Sequence, residues 1–567
     1  MWFHAIVFVV LFCGAQSVSK NAEKCLVNFD QAASGEGLLR ETFENSSYCA
    51  FLGVRYAEPP VGDRRFRHSV LAKPRGQRKY TAFGNRCPQF SWFVDQKVNG
   101  DEDCLFLNIY TPMVSNSSLD DDVPLYPVLV FVHGGSYALG WAERDINGVH
   151  LLVDNGILVV TFNYRLYGLG FLNSPEHNIT GNFGLKDQTT LLRWVQRYIR
   201  HFGGDPQQVT LAGQSAGAGS VTHHLYIEQS RDLFHRMIAL SGSMLGSWSF
   251  LYDGRECIQR YLDDLPSNTL EQLRAIDFRD FFPGNSWENY SVYFASMYMP
   301  CLIPSPEDEQ LQQDNYTVRP PHESILQAPV TQVPMLISVT SLEFDGLLEN
   351  ISSEFFLGDN RPNNQNDTVT NLVNATMHRF AEKLIAEGKA TSRSEVFQRF
   401  ANLADLHYPI FRLAKDLSET VDPSIPVYYQ RFEFDGKFGK GRNVYYANYI
   451  AAYNYGALHG DDLGYIFSPY NLEDALERPQ DFQKEWKVHR RTVELIVNFI
   501  KHGNPTPSQS KLSDISWPPL NDKKTPNLYL NIDEDFEIRP ISYDIYSKQW
   551  EKFYDCLYYD RCDALES

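Results

Sequence analysis

Near-continuous apolar runs rich in β-branched residues recur along the chain. They occupy positions 126–133, 157–163, 209–212, 237–240 and 334–340. A strand with one face in the core alternates apolar and polar residues, whereas a strand covered on both faces is apolar at almost every position. The runs therefore predict the buried strands of a parallel sheet.

Segments with helical periodicity lie between these runs. In 185–199 the apolar side chains recur every three or four residues, and 485–500 repeats this pattern before Gly503, a typical stop signal. Strands alternating with helices indicate an α/β fold, a large doubly wound and mostly parallel sheet flanked by helices. The polar stretch 350–374 breaks the pattern, and we expect it to be the least structured part, a surface insertion.

Composition and charge narrow the class of protein. The 567 residues are 43% hydrophobic and 14% aromatic, which argues against disorder, and the formal net charge of -19 argues against nucleic acid or anionic lipid as partners. Residues 1–19 contain a short apolar run followed by small residues, so they predict a cleaved signal peptide; the alternative is an uncleaved anchor, because no Lys or Arg precedes the run. Residues 20–567 are expected to form a single domain, and no later stretch is long and apolar enough to span a membrane.

The cysteines and glycosylation sequons fit a secretory compartment. Eight cysteines follow the leader, an even number that favours disulfides. Cys87 and Cys104 enclose an aromatic loop and are expected to be bonded, and Cys25 and Cys49 flank a predicted hairpin. The pairing of Cys25, Cys49, Cys257, Cys301, Cys556 and Cys562 stays open. Asn-x-Ser/Thr sequons begin at Asn45, Asn116, Asn178, Asn289, Asn315, Asn350, Asn366 and Asn374.

A Gly-x-Ser-x-Gly pentapeptide at 213–217 follows one of the apolar runs and precedes a small-residue stretch. A strand, a sharp turn and a helix are expected there, with Ser215 exposed on the turn as a candidate nucleophile. An ordinary Gly/Ser turn is the alternative.

A second glycine-rich turn follows the strand predicted at 126–133. In serine hydrolases of this architecture, the backbone N–H groups at that place bind the oxyanion of the reaction. We expect Gly134 and Gly135 to donate from one side and Ala216 from the other. The alternative is a glycine turn with no role beyond leaving the strand.

The chain also supplies a candidate base and a candidate acid in the order Ser, acid, His. His459 lies in a loop after an aromatic run and comes last. Two carboxylates, Glu343 and Asp345, follow the predicted strand 334–340. Glu343 is the preferred acid and Asp345 the alternative.

The sequence resembles the type-B carboxylesterase and cholinesterase family of α/β-hydrolases from about Ser34 to Phe553. The motifs that carry the resemblance are 51–62, 102–105, 181–188, 202–206, 213–217, 459–463, 503–505 and 517–518.

The resemblance implies an α/β-hydrolase fold in which Ser215 is the nucleophile, Glu343 the acid and His459 the base. It also implies an oxyanion hole built by Gly134, Gly135 and Ala216. Ser241 would then hydrogen-bond the acid. Trp248 would form a wall of the acyl pocket or belong to the ordinary core.

These observations predict a secreted serine carboxylesterase that acts on a small-molecule ester, with no metal and no cofactor. One alternative is a non-catalytic adhesion or scaffold protein of the same fold. The other is a narrow hormone-type esterase, because Gln214 before Ser215 resembles the serine motif of such esterases. The resembling cholinesterases bind the choline cation with a tryptophan in the first disulfide loop, helped by a glutamate just before the nucleophile. Here that neighbour is the uncharged Gln214, so hydrolysis of neutral esters is expected over that of choline esters. Trp92 in the Cys87 to Cys104 loop is the residue that could still face a cation. The oligomeric state stays open.

Overall fold

In the computed structural model, the described residues are 25–30, 33–90, 97–112, 124–143, 148–267, 269–282, 301–307, 316–344, 367–445, 456–508, 510–512, 514–542 and 544–566. The predicted signal peptide, Trp92 and Asp345 lie outside them. So do five of the eight sequons, whereas Asn45 and Asn178 are exposed and Asn374 is half-buried.

One large sheet organises the described residues. Its strands are β1 Leu38–Glu41, β2 Ser47–Arg55, β3 Phe106–Pro112, β4 Tyr126–Val132, β5 Leu158–Phe162, β6 Gly204–Gln214, β7 Arg236–Leu240, β8 Met335–Thr340, β9 Val427–Phe432, β10 Leu528–Ile532 and β11 Phe536–Pro540. They lie in the order β11-β10-β9-β8-β7-β6-β4-β5-β3-β2-β1. The strands from β10 to β5 in this order pair in parallel, and antiparallel strands close both edges. The predicted mostly parallel sheet is confirmed.

The central strands are apolar at nearly every position because both faces of the sheet are covered. In β4, Val128, Val130 and Val132 enter one core, whereas Leu129 and Phe131 enter the core on the opposite face. All five side chains are at most 3% exposed. Side chains of a strand point alternately to the two faces, so a strand buried on both sides cannot show alternation.

Helices cover the sheet. The helices used below are α1 Phe183–Tyr198, α2 Ala216–His224, α3 Asp367–Ala386, α4 Arg393–Asn402, α5 Tyr408–Thr420, α6 Gln483–His502 and α7 Ile545–Tyr559. Shorter helices are His150–Asp154, Tyr167–Phe171, Arg255–Asp263, Leu270–Ala275, Pro321–Ser324, Leu463–Ile466, Leu472–Glu477 and Asp563–Glu566. No described helix combines the length and apolar composition that crossing a membrane requires.

The two helices predicted from periodicity are confirmed as α1 and α6. Helix α6 buries Val493, Ile496 and Ile500 and ends at His502, followed by Gly503, whose φ of 66° is left-handed. A residue with a side chain is strained in that conformation, which is why glycine is common just beyond a helix end.

The expectation that 350–374 is the least structured part was wrong for its last residues. Helix α3 begins at Asp367 and buries Val369, Val373 and Met377 in a third core cluster with α4 and α7. The spacing of these apolar residues is helical, but the neighbouring polar residues and sequons obscured it.

Four disulfides occur among the described residues. Cys25 is bonded to Cys49 and Cys87 to Cys104, as the sequence suggested. The pairs that the sequence left open are Cys257 with Cys301 and Cys556 with Cys562.

Candidate active site

Ser215 occupies a sharp turn between β6 and α2, as predicted. Its φ of 58° and ψ of -125° are sparsely populated for a residue with a side chain. The turn is held by backbone hydrogen bonds, because the Ser215 N–H donates to the Leu240 carbonyl at 2.9 Å and the Gly219 N–H donates to the Ser215 carbonyl at 2.9 Å. The surrounding structure therefore stabilises a strained serine at the end of a central strand.

The glycines on either side of Ser215 allow backbone segments to approach closely. A Cβ atom on Gly213 would lie 2.3 Å from the carbonyl oxygen of Gly217, and one on Gly217 would lie 2.1 Å from that of Val132. Neither distance can accommodate a side chain. The motif spacing is therefore required by the turn itself.

The glycine loop after β4 contacts this turn. A Cβ atom on Gly134 would lie 2.8 Å from the Cβ of Ser215 and 2.7 Å from the carbonyl oxygen of Gln214. Gly135 has a φ of 109°, and its carbonyl accepts hydrogen bonds from Ala138 and Leu139, each at 2.9 Å. The structure thus brings the predicted oxyanion loop against the candidate nucleophile, and Ala216 follows directly as the first residue of α2.

His133 anchors this loop, a role that the sequence did not reveal. Its ring stacks on Tyr164 with centroids 4.4 Å apart, and its Nδ1 hydrogen-bonds to the Gly134 carbonyl at 2.8 Å. Burial lowers the His133 pKa to about 4, so the ring is neutral at physiological pH. The Tyr164 hydroxyl also donates to the His133 carbonyl at 3.0 Å.

Glu343 and His459 are in direct contact. Nδ1 of the His459 ring lies 2.5 Å from Oε2 of Glu343, and the backbone N–H of His459 donates to the backbone carbonyl of Glu343 at 3.0 Å. The other carboxylate oxygen of Glu343 accepts the Thr340 N–H at 2.7 Å. The imidazole is therefore held by both the side chain and the backbone of the acid.

The pKa of Glu343 is lowered although the side chain is fully buried. Burial alone would raise the pKa, but the charge of His459 and the hydrogen bond from its ring outweigh this, helped by His407 and Ser241. The carboxylate is consequently ionised at physiological pH. It can stabilise a positive charge on the imidazole.

The second imidazole nitrogen contacts the turn that carries Ser215. Nε2 of His459 lies 3.1 Å from the side-chain nitrogen of Gln214, the residue before Ser215. Phe344 covers the imidazole, with ring centroids 4.4 Å apart. A neutral imidazole with its proton on Nδ1 satisfies both contacts, because Nδ1 then donates to Glu343 and Nε2 accepts from Gln214.

The model of the Carboxylesterase family matches residues 31–549. The chain belongs to the carboxylesterase family. It is similar to juvenile hormone esterase of Tribolium castaneum, with 26% identity and 90% of each chain covered, and to a carboxylic ester hydrolase of Bombus ignitus, with 29% identity and 86% of each chain covered. The crystal structure of juvenile hormone esterase from Manduca sexta with OTFP covalently attached has a TM-score of 0.74 at 25% identity, covering 94% of this chain and all of that one.

The family and the fold predicted from the sequence are confirmed, and the protein is a carboxylic ester hydrolase. No group of three or more metal-ligating side chains occurs among the described residues. The geometry can support acyl transfer through backbone N–H groups, a serine, an imidazole and a carboxylate.

The structure also describes the surroundings of Ser241 and Trp248, which the sequence assigned to the acid and to the acyl pocket. Ser241 is fully buried with a φ of 51°, and the interaction of its hydroxyl with the Glu343 carboxylate helps to lower the pKa of that group. The indole of Trp248 donates to the Asp405 carbonyl at 2.8 Å. Its role in an acyl pocket therefore stays a prediction.

Asn402, the last residue of α4, stabilises the loop that carries the acid. Its side chain donates to the Leu342 carbonyl at 2.8 Å and accepts from the Phe344 N–H at 3.2 Å. These bonds fix the backbone on both sides of Glu343. No local motif predicts this role, because Asn402 lies about sixty positions further along the chain.

Proposed function

We propose that this carboxylesterase is a secreted serine esterase that hydrolyses neutral carboxylic esters through an acyl-enzyme on Ser215. The observation that carries the proposal is the buried 2.5 Å contact between Glu343 and His459. The contact of His459 with Gln214 brings this pair to the strained turn of Ser215. Strained backbone at a solvent-accessible serine beside such a pair is typical of a nucleophile and its base.

In the proposed first step, the Ser215 oxygen attacks the ester carbonyl while its proton passes to Nε2 of His459. The Gln214 side chain must release Nε2 for this transfer. Glu343 keeps the imidazole oriented and stabilises the imidazolium. The negative charge that develops on the carbonyl oxygen would be stabilised by the N–H groups of Gly134, Gly135 and Ala216.

The tetrahedral intermediate then collapses, and the alcohol leaves with the proton of the imidazolium. Water attacks the resulting acyl-enzyme, again giving its proton to His459. The acid is released as Ser215 regains its hydrogen. All atoms come from the ester, water and these side chains, so the cycle requires no further group.

The leader, the sequons and the disulfides support secretion. Four bonded cysteine pairs are typical of an oxidising compartment. Asn45 and Asn178 are exposed, as glycan acceptors must be. We propose that residues 1–19 are removed and that 20–567 form the mature domain.

The proposal is tested by labelling with an organophosphate and mapping the modified peptide by mass spectrometry. The label should fall on Ser215, and Ser215→Ala should lose both the label and the hydrolysis of a nitrophenyl ester. The exposed Ser424→Ala is the matched control and should keep both. Turnover retained in Ser215→Ala would refute the mechanism, and a wild-type protein with neither label nor turnover would favour the adhesion or scaffold alternative.

A narrower hormone esterase is the second candidate. Gln214 and the similarity to juvenile hormone esterases of Tribolium and Manduca favour it. A general esterase and a narrow hormone esterase are distinguished by comparing kcat/KM for a juvenile hormone with kcat/KM for naphthyl acetate. A hormone value at least about tenfold higher, or about 1.4 kcal/mol, would support the narrow substrate range.

A further inference from the structure

A separate cavity of about 560 Å³ lies beside the loop of the acid. Its lining comes from the ends of β8 and β9, from β10, from α4 and α5, and from the start of α7. This volume is within the usual range for sites that bind small organic molecules.

The cavity is distinct from the candidate active site. Its wall includes Ser341 and Leu342, which precede Glu343, but neither Ser215 nor His459. Asn402 also lines it while holding the backbone of the acid loop. The cavity therefore borders the acid loop without including the nucleophile or the base.

Two arginines give the cavity its positive charge. The side chain of Arg431 is 40% exposed, and its Nη2 lies 3.9 Å from a carboxylate oxygen of Glu433, too far for a hydrogen bond. Arg399 pairs with Glu395 at 3.1 Å and lies over the ring of Tyr546. A guanidinium is well suited to a carboxylate, since its planar fork can offer two parallel N–H bonds.

Asp544 is the one carboxylate in the cavity lining. One of its oxygens already accepts the N–H of Ser547 at 2.7 Å, which caps helix α7. The lining residues thus carry two guanidinium groups and one partly satisfied carboxylate, whereas Glu395 and Glu433, which approach the two arginines, do not line the cavity. The lining is positive in a protein whose formal net charge is -19.

Aromatic rings form much of the remaining wall. They belong to Tyr408, Phe411, Tyr429, Tyr529 and Tyr546. Rings of this kind pack against apolar groups, so the cavity joins an apolar surface to an anion-binding one. A small inorganic anion would leave most of this surface without a partner.

We infer that the cavity is a second binding site, which takes an organic monocarboxylate with an apolar body. The carboxylate pairs with Arg431 and Arg399, and the body packs against the aromatic wall. The site needs no ester chemistry, so it stands independently of the proposed catalytic mechanism.

The inference is tested by isothermal titration calorimetry of the full secreted protein with 2-naphthoate and with its neutral isostere 2-naphthamide. The naphthoate should bind at least tenfold more tightly than the amide, and Arg431→Gln should weaken naphthoate binding at least tenfold. Arg539→Gln is the matched control, because Arg539 also pairs with Glu433 but does not line the cavity. It should bind naphthoate as the wild type does.

Arg399→Gln is the second variant and decides the question if Arg431→Gln fails to fold. Its side chain is 53% exposed, so it can be replaced with little effect on the core. Equal binding of acid and amide, equal naphthoate affinity in the arginine variants and Arg539→Gln, or displacement of naphthoate by millimolar phosphate would each overturn the inference.

Discussion

The side-chain nitrogen of Gln214 lies 3.1 Å from Nε2 of His459, although the two residues are 245 positions apart. In the proposed mechanism, the nitrogen that receives the serine proton is thus hydrogen-bonded to an uncharged amide. This pairing links the residue before the nucleophile to the candidate base. If the proposed mechanism holds, a change of charge at position 214 should alter both the proton transfer to His459 and the preference for neutral over cationic esters.

The first prediction concerns Gln214→Glu. A carboxylate beside Nε2 favours the protonated imidazole, so the acid limb of the pH profile of kcat/KM should move to higher pH. The wild type should prefer a naphthyl ester over acetylthiocholine by at least about tenfold in kcat/KM, and the variant should narrow this ratio. An unchanged profile and ratio would show that position 214 influences neither step.

A second prediction separates the two candidate acids. Glu343→Gln should lower kcat by at least about a hundredfold, because an amide neither orients the imidazole correctly nor stabilises its positive charge. Asp345→Asn should stay near wild type and serves as the control. Steady-state kinetics with a nitrophenyl ester decide between them, and the reverse ranking would move the role to Asp345.

The third prediction concerns the buried disulfide between Cys87 and Cys104, whose bond closes 17 residues of chain. Replacing both cysteines with alanine should lower the free energy of unfolding by about 3 kcal/mol in the chain-entropy model. The same change at Cys556 and Cys562, which are six positions apart, should cost about 2 kcal/mol. Denaturant unfolding of both variants measures the difference, and a larger loss at the shorter loop would contradict this account.

A fourth prediction concerns the pH dependence of stability and Asp462, which is only 1% exposed. Burial, followed by the charges of Glu343 and Asp461, raises its pKa from 3.8 to about 8. The folded state therefore keeps a proton that the unfolded chain loses. Below about pH 4 the carboxyl is protonated in both states and does not oppose folding. Between about pH 4 and pH 8 it lowers the free energy of unfolding by up to about 1.4 kcal/mol per pH unit.

Asp462→Asn should accordingly flatten the decline of stability between pH 5 and pH 8, measured as the denaturation midpoint at each pH. Asp461→Asn is the contrast, because the Asp461 carboxylate accepts the N–H groups of Arg442 and Leu458, each at 2.8 Å. An amide there replaces one acceptor with a donor and should destabilise the fold. A variant Asp462→Asn with the wild-type pH dependence would mean that this carboxyl is ionised in the folded state.

The positions of the five central strands β4 to β8, the serine turn and the long helices α1 and α6 were predictable from the sequence. Each depends on local information, such as the spacing of apolar residues or a turn that excludes side chains. The expected surface insertion failed at α3, whose buried residues have helical spacing and pack with α4 and α7 but stand among polar residues and sequons. Its polar flanks carried the stronger local pattern.

The sequence by itself determined that the chain forms a doubly wound sheet, with Ser215 on a sharp turn after a central strand. Only the tertiary structure brought Glu343 to His459 across 116 positions and Asn402 to the acid loop. It also formed the cavity that Arg399 and Arg431 line. The physical reason is that periodicity and turn chemistry act over a few residues, whereas these contacts depend on how distant strands align and how the loops after them pack.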